Sequence, residues 1–214
     1  MIVAFPAEQT PSGAQCGMSW EDWRPRDQTL ATAFDAWRKG DLTRAETLFE
    51  HQCKHEESDA FRGLGSVQWT QKRFVEARIS FSKAIELAPW NPMHWGNLGL
   101  VLRDMEMPES ALAALDTAIA IDRLYEPAWN EKANVLYDCK RYSEALPNYQ
   151  QALKLNDNRA VVHHNIGMCY LALEEQTLAL DAFDTALTIE PTYSWTLTML
   201  RQLSGCQSAH AKHP

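Results

Sequence analysis

Small and large apolar residues return along this chain at a constant step of 34. Ala77, Ala111, Ala145 and Ala179 keep that step, and so do Ala84, Ala118, Ala152 and Ala186, seven residues further on. Large residues follow in the same phase: Phe61, Trp95, Trp129, His163, and Phe81, Leu115, Tyr149, Phe183. Gly65, Gly99, Ala133 and Gly167 form another register, with Leu64, Leu98, Lys132 and Ile166 beside it. A period of this length predicts one helix pair per unit, each unit burying its apolar side on its neighbours. The small registers let two antiparallel helix backbones approach, and the large ones fill the space between units. The prediction is an all-α repeat stack.

Taken from Ser58, Pro92, Glu126 and Ala160, each unit has a large residue at its fourth place, Ala at the twentieth and twenty-seventh, and an apolar residue at the twenty-fourth. This pattern resembles the tetratricopeptide repeat. The resemblance implies a right-handed α-solenoid over residues 27–205. Its units would be a degenerate copy at 27–57, clear copies at 58–91, 92–125, 126–159 and 160–193, and a capping helix at 194–205. Residues 1–26 are expected to form a flexible arm with a short Trp-containing turn, and 206–214 a disordered tail. Asp27 is the expected N-cap of the first helix and Gly205 the stop of the last. Some places depart from the pattern. Lys132 stands where Leu is usual, Arg123 and Asp157 replace the Pro that ends a unit at Pro89 and Pro191, and Pro147 predicts a local kink.

Composition removes several function classes. The chain has 28 acidic against 20 basic residues and a net charge of −8, which argues against binding nucleic acid or an anionic membrane surface. No run approaches the roughly 20 apolar residues of a membrane span. The N-terminus lacks the basic start of a secretion signal. Five scattered cysteines do not form a disulfide framework, so the expected setting is cytoplasmic and reducing. There is no phosphate loop, nucleophile elbow or HExxH helix, and the expectation is a protein without catalytic residues, cofactor or metal. His51 and His55 have the spacing of a metal pair, but Cys53 points away and no further ligand pair is evident; they read as surface histidines. Cys206, His210 and His213 form a loose set without defined geometry.

The resemblance also places the first helix of each unit on a concave groove. Arg62, Asn97, Arg103, Asn130, Glu131, Asn134, Tyr137, His164, Asn165, Met168 and Trp195 then line it as candidate partner-binding residues. Asn97 and Asn165 occupy the place where related repeats hold the backbone of an extended peptide, a role suited to a group that both donates and accepts. They could equally face solvent or join helices. Glu131 interrupts that asparagine ladder, and Asn130 and Asn134 could compensate. Family members that grip a chaperone's C-terminal carboxylate need basic residues where this chain has Pro127 and Glu131, so that partner class is disfavoured. Met168 and Trp195 are either an apolar anchor or ordinary core under the cap. The expected function is a protein–protein interaction module: a small adaptor, chaperone or assembly factor that binds a peptide. The rival is a self-associating scaffold, a homo-oligomer built through Trp20 and Trp23 or through the ends of the stack.

Overall fold

The computed structural model describes residues 28–210, with side chains as far as Leu203. Among the described residues there are eleven helices and no strand: α1 Gln28–Arg38, α2 Leu42–Cys53, α3 Ser58–Thr70, α4 Phe74–Leu87, α5 Pro92–Asp104, α6 Pro108–Ile121, α7 Glu126–Asp138, α8 Tyr142–Leu155, α9 Ala160–Ala172, α10 Gln176–Ile189 and α11 Ser194–His210. Each odd helix pairs with the even helix that follows it, and each even helix packs on the next odd one. The product is an α-solenoid of helix pairs.

The alanine registers do what their size predicts. All eight are fully buried, as is Ala45 in α2. A Cβ at Gly99 would lie 2.5 Å from Leu115, so that register must be nearly bare where the large residue of the paired helix presses against it. A further register, Ala60, His94, Ala128, Val162 and Thr196, is fully buried at each of these five places. It holds the third place of each first helix and extends the repeat into α11.

The turn inside each pair is built one way throughout. Lys72, Glu106, Lys140 and Glu174 all have φ near +60°, and Gly40 has φ +80°. The residue after each sends its N–H five residues back, as in Arg141 to Leu136 and Glu175 to Tyr170. This is the αL closure of a helix C-terminus, and it caps carbonyls the helix cannot satisfy. The turn between pairs has its own lock. The indole N–H of Trp95 donates to the Pro89 carbonyl at 2.8 Å, and that of Trp129 to the Arg123 carbonyl at 2.9 Å. The turn with Arg123 in place of Pro therefore carries the same bond as the one with Pro89.

Two departures resolve locally. Lys132 reaches out of the helix interface to Asp116 at 2.5 Å. Helix α8 continues through Pro147 without a break in its helical run. Lys132 and Pro147 line the same outer cleft of about 650 Å³ between α6, α7 and α8. Helix α11 continues through Gly205 to His210, five residues beyond the stop the sequence pattern predicts. The Trp20/Trp23 arm, the Asp27 cap and residues 211–214 lie outside the described residues.

Candidate functional site

The first helices of neighbouring pairs are tied along one edge. Trp69 Nε1 donates to Asp104 at 2.6 Å, and Arg103 Nε donates to Asp138 at 2.6 Å. Both bonds join the twelfth place of one unit to the thirteenth of the next. Trp37 Nε1 makes a longer contact with Thr70, 3.4 Å, at the front of the stack.

Around Arg103 these ties widen into a network. Its Nη1 donates to Glu131 at 3.1 Å, and the other oxygen of Glu131 accepts from Asn134 at 3.2 Å. Asn134 Oδ1 accepts from the Tyr149 hydroxyl at 2.6 Å and from Asn165 Nδ2 at 3.2 Å. Four helices, α5, α7, α8 and α9, thus contribute to one connected set. Burial opposes the charge of Arg103, but the Asp138 hydrogen bond and the nearby carboxylates outweigh it and hold its pKa above the ordinary value. The Tyr149 hydroxyl is kept neutral by its burial.

The network lines a pocket of about 290 Å³ bounded by Arg103, Asn134, Tyr137, Asp138, Tyr149, His164, Asn165 and Met168. Six of the sequence-predicted groove residues therefore meet in one place: Arg103, Asn134, Tyr137, His164, Asn165 and Met168. Glu131 belongs to the same network one step behind Arg103. Asn130 is 7% exposed; its amide lies against Glu131 at 3.5 Å and its Oδ1 has no donor.

Arg62, Asn97 and Trp195 remain, and His164 combines two roles. Arg62 is buried, bonded to Asp59 at 3.0 Å and stacked over Phe34 at 4.8 Å, so it holds two helices together as well as facing the groove. Asn97 is half-buried, and its side chain makes no hydrogen bond among the described residues. His164, expected to point into the groove, is 9% exposed. It forms one pocket wall while Nδ1 meets Thr196 at 3.0 Å and the ring packs on Phe183 and Tyr193. Burial lowers its pKa. Trp195 is 71% exposed and is not among the pocket-lining residues; Thr196 beside it makes the contact with α9 instead.

The sequence reading did not single out Tyr149, which stands at a core place. Its signal was the hydroxyl, since Phe81, Leu115 and Phe183 hold that register elsewhere. Asp104 and Asp138, which recur 34 apart on the same face, complete the bonds along its edge. Among the described residues no helix is long and apolar enough to cross a membrane.

Comparison with known proteins agrees with this fold. Family profiles described as tetratricopeptide repeat match residues 30–92 and 125–191, together more than half of the chain. A curated serine/threonine-protein phosphatase T of Trypanosoma brucei brucei is 27% identical over 53% of this chain and 24% of its own length. The human DnaJ homolog subfamily C member 7 is 24% identical over 69% of this chain and 23% of its own length. The co-chaperone sgt12 of Aspergillus fumigatus is 24% identical over 48% of this chain and 30% of its own. The chain thus spans less than a third of the length of each of these relatives. Among solved structures, YrrB, described as a repeat protein with an unusual peptide-binding site, superposes with TM-score 0.63 at 23% identity, covering 81% of this chain and 90% of that one. PilF of Pseudomonas aeruginosa gives TM-score 0.70 at 19% identity, covering 75% and 74%. At these identities the likeness to solved structures is one of fold.

Proposed function

Since the chain belongs to the tetratricopeptide-repeat family, a protein–protein interaction fold, we propose that it holds an extended segment of a partner protein in the groove lined by α3, α5, α7 and α9. It acts in this reading as a small adaptor, chaperone or assembly factor in the cytoplasm, and no catalytic role is assigned to it. The observation that carries the proposal is the pocket of about 290 Å³ into which three successive first helices each send polar side chains. Its size suits one side chain of a bound segment, and the amide of Asn97 on α5 is free to meet a backbone. The Asn134 carbonyl already accepts two hydrogen bonds, so backbone recognition falls to Asn97 and Asn165.

The test is capture of partners from native extract by the tagged full chain, beside the Asn97→Ala/Asn165→Ala protein. A partner held by the first and lost by the second, with unchanged helicity, supports the groove. A partner held equally by both overturns it.

One observation favours the scaffold reading as an alternative. Trp195 is exposed at the C-terminal end of the stack, where a second copy could cover it. Light scattering of the full chain and of Trp195→Ser decides: a dimer or larger assembly that the substitution dissolves supports the scaffold, and a monomer in both removes it.

A further inference from the structure

The groove's charge is unbalanced in one direction. Between Trp69 and Asn165 it presents one guanidinium, Arg103, against the carboxylates of Asp104, Glu131 and Asp138. Arg103 is already shared between Glu131 and Asp138. Among the described residues Asp104 hydrogen-bonds only a neutral indole N–H, and the cation near it is the same Arg103. Asp138 is half-exposed on the pocket rim and retains capacity for a second donor.

Three carboxylates against one guanidinium make donors the complementary groups for this surface. An incoming carboxylate would meet net negative charge, whereas an ammonium or guanidinium would find oxygens. The pocket walls suit the rest of such a side chain, because Met168 and the ring of Tyr137 offer apolar surface to an aliphatic stem.

The two exposed carboxylates also set a spacing. Asp104 and Asp138 hold the same place in adjacent units, at the ends of α5 and α7, which pack directly on each other. Packed helices lie about 10 Å apart. In a polyproline-like extended chain, side chains about 9 Å apart on one face are three residues apart.

Resting on the groove reading above, we infer that the occupant is a basic extended segment, with two Lys or Arg side chains three residues apart, one at Asp138 in the pocket and one at Asp104. This chemistry is the reverse of a carboxylate-gripping groove.

The test uses labelled peptides of one extended, Pro- and Ala-rich backbone carrying a Lys pair, a Gln pair or a Glu pair at that spacing. Anisotropy titrations are run with the full chain, with Asp104→Asn/Asp138→Asn and with Asn97→Ala/Asn165→Ala. The Lys peptide is expected to bind about tenfold tighter than the Gln peptide and to weaken as salt rises. Asp104→Asn/Asp138→Asn erases that margin and improves the Glu peptide. Arg103→Gln, an independent variant, widens the margin by removing the competing cation. Equal binding of the three peptides, lost in Asn97→Ala/Asn165→Ala, overturns the charge assignment and leaves the groove standing. A Lys preference that survives Asp104→Asn/Asp138→Asn also overturns it, since the attraction then lies elsewhere. Failure of the Lys peptide to bind overturns the inference as well, and the groove itself is then judged by the partner-capture experiment.

Discussion

The hydroxyl of Tyr149, a residue only 1% exposed, donates to Asn134 Oδ1 at 2.6 Å and so joins the packed interior of the stack to its groove. Phe81 and Phe183 show that the ring alone satisfies the core at this register. Tyr149→Phe therefore isolates the hydrogen bond. It should lower unfolding free energy by about 1 kcal/mol, with far-ultraviolet circular dichroism unchanged. Urea denaturation of the two proteins checks this.

The left-handed turn residues offer a gain. A non-glycine residue there costs roughly 1–2 kcal/mol in backbone energy, part of which glycine returns as chain entropy. Lys140→Gly should stabilise by about 0.5–1 kcal/mol, and Glu106→Gly likewise. Gly40→Ala should do the reverse by about 1 kcal/mol. A Cβ there meets no atom within 4 Å, so the loss would be purely conformational. Thermal melts of the three variants would show opposite shifts.

His94 makes stability depend on pH. It is fully buried, neither ring nitrogen has a partner, and burial, followed by the nearby Arg62 charge, pushes its pKa down to about 4 against the ordinary 6.5. Between those values the unfolded chain takes up a proton that the folded one refuses. Stability is accordingly complete above about pH 6.5 and falls as pH drops toward 4, by up to about 3 kcal/mol. His164, lowered by burial, acts in the same sense. His94→Val, the residue found at the same place in α9, should flatten most of the slope. Urea midpoints at pH 7.5 and pH 5 for both proteins measure it.

Gly99→Ala would drive a Cβ into the side chain of Leu115 and should cost about 1–3 kcal/mol. The same register carries Ala133 in the next unit, so Ala133→Gly should cost no more than about 1 kcal/mol, from lost helix propensity. Parallel denaturation of the two variants decides between a local packing constraint and a requirement for glycine throughout the register.

Much of this architecture is written in residue spacing. The alanines at 77, 84 and their repeats are small because two backbones meet there, and a constant step exposes that constraint without any structure. Length and register survive even where one residue departs, as at Lys132, because each departure is answered locally by a partner such as Asp116. The groove was legible as a surface but less so as a set of contacts. Asn134 is saturated by neighbours that lie 15 and 31 residues away, and His164 is drawn against Thr196 at 32 residues. Those pairings depend on rotamers and on the superposition of units, which no periodic pattern records. Trp195 and Thr196 illustrate the limit: adjacent in the chain, one is 71% exposed and the other fully buried.

The Trp69–Asp104 and Arg103–Asp138 bonds run along one edge of the stack, like the stitching of a book's spine. First helices touch first helices, whereas second helices lean mainly on the first helices beside them. Bending that fans the outer pages apart leaves the stitched edge nearly constant in length. A change of pitch around the groove is then a deformation that leaves the seam intact.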